Sequence, residues 1–126
     1  MLIHTYCVFC KYHQVGIVQQ TLQRLVPNCK VIYALRQETT ISSDDKNPHL
    51  IPLFPQYLFI YSDHPIGKWL HDQYPSGIEY WLGNRSNDYE LSGSDLEAAH
   101  IIYAYDGIID NRISALLQDK ALFGIS

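Results

Sequence analysis

At 126 residues with 47% hydrophobic side chains, the chain is long enough for one compact domain with a real core, which excludes a disordered segment. A net charge of −4 excludes an autonomous nucleic-acid binder, whose domain would carry a basic excess. The charge is uneven: residues 1–62 hold five Lys/Arg against three Asp/Glu (+2), and residues 63–126 hold four against ten (−6), so weak, partner-assisted contact with an anionic ligand is expected only from the N-terminal half.

No apolar run approaches the roughly 18 residues of a membrane span. The opening Met1-Leu2-Ile3-His4 lacks a charged stretch leading into an apolar one, so no leader is expected, and the cytosol with reduced cysteines follows. Residues 3–10 are β-prone without a breaker and predict a strand. Val15, Val18, Leu22, Leu25 and Val26 recur at helical spacing, with Gln19, Gln20, Gln23 and Arg24 opposite, and Pro27-Asn28 ends that helix. Residues 30–36 predict a second strand and the polar stretch 37–49 an exposed loop or hairpin tip. Residues 56–61 predict a third strand. Ser62 or Asp63 then caps a short helix with Pro65 in its first turn. Tyr74-Pro75-Ser76-Gly77 is a turn, and Ile78–Leu82 a fourth strand. Ser94 with Glu97 fits a capping box, Ser92 with Asp95 a weaker one; Leu96, Ala99, Ile102 and Tyr103 make the helix stripe, and Gly107 stops it. The order β-α-β-β-α-β-α gives an α+β fold, a single mixed or antiparallel four-stranded sheet with helices packed on it. Residues 108–126 read as a tail, where Ile113, Leu116 and Leu117 allow a short amphipathic helix.

Cys7-Val-Phe-Cys10 with His13 is formally a redox or zinc half-site. Alternation along a strand points the two cysteines to opposite faces, and no second Cys/His cluster completes a tetrahedral site, so buried structural thiols are the default. Six histidines are scattered, and adjacent His71 and Asp72 face different ways on a helix. The glycines form neither a P-loop nor a dinucleotide fingerprint. No catalytic residue, metal or cofactor is expected. What remains is Leu50–Tyr61, which joins two prolines to an aromatic strand. Leu58 and Ile60 face one packed side and Tyr57, Phe59 and Tyr61 the other, as core or as a docking surface.

Thr5-Tyr-Cys-Val-Phe-Cys-Lys11, a helix, Pro52-Leu-Phe-Pro-Gln-Tyr-Leu-Phe59 and Gly77-Ile78 leading into Leu82-Gly83 resemble the N-terminal domain of NusG-family transcription elongation factors, nearest the RfaH-like paralogues. The resemblance spans residues 3 to about 106. It implies a NusG N-terminal-like domain over 1–107, with 108–126 a tail or linker; family members continue into a KOW barrel, for which these residues leave no room, as expected of either a truncated chain or a single-domain member. It implies a binding module that engages the clamp helices of the bacterial RNA polymerase β′ subunit, bridges toward the β gate loop and suppresses pausing. The implied polymerase-binding residues are Phe9, Phe54, Pro55, Tyr57 and Phe59. The implied contacts to non-template single-stranded DNA are Lys11, His13 and Gln14. The chain departs from the family at Thr5, where a tryptophan is usual, and at Pro75-Ser76, where a basic residue precedes the glycine. A monomer is expected. Two alternatives from other classes are a small cytosolic thiol or metal protein using Cys7, Cys10 and His13, and a homodimeric interaction adaptor.

Overall fold

A computed structural model describes residues 3–38 and 49–119. In chain order the elements are β1 (His4–Cys10), α1 (Val15–Leu25), β2 (Lys30–Ile32), β3 (Leu35–Glu38), β4 (His49–Pro52), β5 (Tyr57–Ser62), α2 (Gly67–Asp72), β6 (Ile78–Trp81), α3 (Gly93–Ala104), β7 (Ile108–Ile109) and α4 (Asn111–Asp119). The fold is α+β. Its main sheet has the order β2-β5-β1-β6 with every neighbouring pair antiparallel.

All six residues of β5 are buried, so both faces of the sheet are roofed. Period-2 alternation sorts the side chains into two cores. Tyr6, Val8 and Cys10 of β1, with Leu58 and Ile60 of β5, pack beneath Val18 and Leu22 of α1 and Leu70 of α2. Cys7 of β1, with Tyr57, Phe59 and Tyr61 of β5, packs on the other side beneath Ala98, Ala99 and Ile102 of α3. The small alanines let α3 lie close, and the Tyr61 hydroxyl donates to the Ala99 carbonyl at 2.6 Å.

The helix ends are built from specific groups. Asp88 closes the start of α2: its Oδ1 accepts from the Lys68 N–H at 2.7 Å and its Oδ2 from the Gly67 N–H at 3.1 Å. The Tyr6 hydroxyl donates to the same carboxylate at 3.0 Å and accepts from the Ile66 N–H at 3.0 Å. Gly67 is obligatory, because a Cβ there would sit 1.7 Å from the Asp88 carbonyl oxygen. Ser62 and Asp63 do not cap α2 as expected. The helix begins at Gly67, after Pro65, and Ser62 Oγ instead accepts from the His64 N–H. At α3 the N-cap position belongs to Ser92, without a side-chain cap bond, so the Ser94/Glu97 box does not form. Its C-terminus is a Schellman motif: Gly107 N–H donates to Ile102 O at 2.9 Å and Asp106 N–H to Tyr103 O at 3.0 Å.

Three further expectations are corrected. The strand expected over 30–36 breaks at Tyr33-Ala34, because Ala34 leaves β5 and its carbonyl accepts from Leu53 N–H at 2.9 Å. Beyond the break, β3 enters a second, three-stranded sheet of order β4-β3-β7, antiparallel to β4 and parallel to β7. The loop expected over 37–49 is strand at both ends, and 39–48 lie outside the described residues. The boundary expected at residue 107 is not one in the fold. Ile109 of β7 and Leu117 of α4 are fully buried in the α3-side core, so the described part of the tail belongs to the domain. Among the described residues no helix is long and apolar enough to cross a membrane.

Two predictions follow from these contacts. Thr5 Oγ1 is buried without a hydrogen-bond partner among the described residues, so Thr5→Val should hold stability constant or raise it by up to about 1 kcal/mol in urea denaturation. Burial alone would raise the Asp88 pKa, but the Lys68 and Gly67 N–H groups and the Tyr6 hydroxyl outweigh it and hold the carboxyl below its ordinary value. A depressed folded pKa stabilises the fold above the unfolded value of about 3.9 and loses that stability as pH falls through the folded value. Asp88→Asn should therefore lower Tm at pH 7 and narrow its gap to wild type as the pH drops below about 4.

Candidate functional site

Phe9 on β1 is the register partner of both Tyr57 on β5 and Tyr80 on β6. The three side chains share one face across three adjacent strands. The Phe9 ring lies 4.8 Å from that of Tyr57, tilted, and 4.9 Å from that of Tyr80, stacked. The Tyr57 and Tyr80 hydroxyls meet at 3.0 Å. The row runs from core to solvent, with Tyr57 6% exposed, Phe9 half-buried and Tyr80 47% exposed. Burial first, and the bond to Tyr80 second, raise the Tyr57 pKa, so the hydroxyl stays neutral.

Two expected anchors are not surface groups. Phe54 is 1% exposed and Phe59 0%, their rings 6.5 Å apart in the α3-side core. Alternation turns Phe59 inward with Tyr57 and Tyr61, and Phe54 fills the space beside it, so neither reaches a partner without unpacking the core. Pro55 is exposed.

The corner before α1 is held by the backbone. Lys11 N–H donates to the Gly77 carbonyl at 2.8 Å, and Gln14 N–H to the Lys11 carbonyl at 2.9 Å. Lys11 and His13 are exposed, and Gln14 is half-buried at the N-cap position of α1 with no side-chain cap bond. His13 has a left-handed backbone (φ 64°), a conformation histidine tolerates better than most residues. Tyr12, 72% exposed, brings its ring within 3.8 Å of the His13 ring.

Sequence order hides a junction here. His13 and Pro55, expected to face different partners, line one cleft of about 360 Å³ with Tyr12, Tyr33, Pro52 and Gln56. Gln56 fastens its floor. Its side-chain amide donates to the Cys10 carbonyl at 2.9 Å, and its own carbonyl accepts from Cys10 N–H at 2.7 Å. Because Gln56 lies between Pro55 and Tyr57, the cleft and the aromatic row are neighbours along the same strand ends.

The sheet separates the two thiols of the Cys-x-x-Cys. Cys7 lies in the α3-side core and Cys10 in the α1-side core. Burial pushes the Cys7 thiol well up and that of Cys10 to about 12. Neither is a thiolate at neutral pH, and His13 lies outside both cores. Among the described residues no group of three or more His, Cys, Asp or Glu is placed to hold a metal. His71 and Asp72 do meet, contrary to expectation, with Nδ1 3.2 Å from Oδ1.

Tyr80 and Tyr12 were not singled out from the sequence. Alternation in Ile78–Trp81 could flag Tyr80 as lying on the face opposite Trp81, but the register that sets it beside Phe9 includes a bulge between Phe9 and Cys10. No family model matches the chain, and no curated protein matches it.

The burial of the thiols sets an expected outcome for thiol titration of the native protein. Of the three free cysteines, half-buried Cys29 should react promptly, and Cys7 and Cys10 only on denaturation. Prompt reaction of all three would overturn the packing described.

Proposed function

We propose that the chain is a NusG-type polymerase-binding domain, nearest the RfaH-like members, acting as a binding module rather than an enzyme. It engages the clamp helices of the RNA polymerase β′ subunit, keeps the clamp closed and suppresses pausing. Its place of work is then the cytoplasm. The observation that carries the reading is the Phe9–Tyr57–Tyr80 row. It is a graded aromatic surface on a rigid sheet, anchored in the core at one end and open at the other. Interface hot spots favour such aromatic side chains held by their neighbours, and a helix laid across the row would complete their burial.

The antiparallel sheet with helices on both faces supports the resemblance carried by Pro52–Phe59. The polymerase-facing set is revised to Phe9, Tyr57, Tyr80 and Pro55. Lys11, His13 and Gln14 sit at the next corner, where Lys11 is free to neutralise a phosphate and Tyr12 offers a ring to a single-stranded base. Lys68 and Trp69, both exposed on α2, are the groups available toward the gate loop. The buried, protonated thiols favour this reading over a thiol enzyme.

Retention on immobilised RNA polymerase tests the proposal. Tyr80→Ala, which removes an exposed ring and should leave the fold intact by circular dichroism, is expected to weaken retention by about tenfold or more. Lys11→Ala should leave polymerase retention unchanged and lower cross-linking to the non-template strand in an assembled transcription bubble. Equal retention of wild type and Tyr80→Ala, or no retention of either, would overturn it.

A further inference from the structure

Beyond the end of α2, at the β6 edge of the main sheet, a second cleft of about 450 Å³ has His71, Tyr74, Glu79, Tyr80, Trp81 and Tyr89 in its lining. Its walls are rings in contact. His71 stacks on Tyr89 at 4.5 Å with 12° between planes, which seals the base. The remaining pairs are inclined: Trp81 to Tyr89 by 51° at 5.6 Å, Trp81 to His71 by 63° and Tyr74 to His71 by 48°, both at 5.9 Å. Tyr74 is 81% exposed. So large an aromatic group left in water at a cleft mouth marks the open side.

Shape and charge select one ligand chemistry. A flat nucleobase or guanidinium group is held best along or between parallel ring faces, and the one parallel pair here is closed on itself. Inclined walls form a cup, which suits a rounded head group. The Tyr74, Trp81 and Tyr89 rings present negative π faces, and cations are the groups they attract. Glu79 lines the cleft and has no ion-pair or hydrogen-bond partner among the described residues. The nearby cation does not compete, because Arg85 is held by Asp72 through two bonds of 2.9 and 3.1 Å. Arg85 in turn keeps the Asp72 pKa down to about 2, so that pair stays ionised and mutually neutralised. The nearby Asp88 is occupied at the start of α2 and Glu90 by His4. An uncommitted carboxylate beside an aromatic cup repels phosphate and attracts a positive head group.

We propose that this cleft binds a rounded organic cation, a quaternary or alkylated ammonium group. The cleft meets the aromatic row at Tyr80, but the groups that select the cation, Tyr74, Glu79, Trp81 and Tyr89, are not part of that row, so the assignment does not depend on the polymerase reading. Such a group would come as a free quaternary amine or as a methylated lysine side chain, and the chemistry of capture is the same for both.

The two tryptophans make the site directly readable. Trp69 is half-exposed on α2, and Trp69→Phe leaves Trp81 as the sole indole reporter. In that protein, choline and N-acetyl-trimethyllysine amide are titrated against sodium chloride at matched ionic strength. Saturable change in Trp81 fluorescence with a Kd on the order of 1 mM is expected for at least one of them, and the tighter of the two identifies the source. Tyr74→Ala and Glu79→Gln alter exposed side chains and should keep the fold, and each should weaken binding by about fivefold or more. Thymidine monophosphate should not compete. A response no different from that to sodium chloride overturns the assignment, as does binding unaffected by both substitutions. Tighter binding of argininamide than of either ammonium probe would overturn the cup geometry.

Discussion

Everything in this fold depends on β5 having no exposed face. A strand with six consecutive buried residues cannot sit on a one-sided sheet. Its even and odd residues each need a roof, and the chain supplies two, α1 with α2 on one side and α3 with the C-terminal elements on the other. The prolines before β5 fit this arrangement. Pro52 closes β4 and exposed Pro55 stands in the turn that follows, both outside the central ladder where a missing N–H would break the pairing.

The functional surfaces lie where the roofing stops. On the α3 face, cover is complete over Phe59 and Tyr61 and thins toward Phe9 and Tyr80, so an aromatic layer that is core at one end becomes surface at the other. On the α1 face, α2 is only six residues long and ends before reaching Trp81, and the gap is walled by rings from the turn after α2 and from Tyr89. Both patches flank β6, the short outer strand of the main sheet. Outer strands are poor places to complete a core, because helices centre on the middle of a sheet, and the leftover aromatic surface is available for binding.

The elements with strong local signals were legible in the sequence. Helix α1 follows from its spacing of Val18, Leu22 and Val26, and the two-sided burial of β5 from its unbroken aromatic and branched run. The turn at Gly107 was visible because a left-handed residue after an apolar stripe is a local demand. The second sheet was not legible. Residues 35–38 and 49–52 are short and partly polar, and pairing 35–36 with 108–109 is a contact between distant segments with no local trace. The capping difference at α2 has a distant cause. Asp88, a residue far along the chain, closes α2, so the serine and aspartate just before that helix are free for other bonds. For the site, aromatic identity was legible but exposure was not. Phe54 and Phe59 look like Phe9 in sequence, and only the register and the placement of α3 separate core from surface.

The parallel tie between β3 and β7 sets an order of assembly. Leu35 N–H bonds the Gly107 carbonyl at 2.8 Å, and Leu35 and Arg36 pair with Ile108 and Ile109. A chain emerging from the ribosome can pair β1, β5 and β6 before those partners exist. Until they do, β3 has only β4 beside it and the pocket for Ile109 stands open. The nascent domain thus passes through a stage with an unlatched flank, and β7 with α4 is the bolt that shuts it.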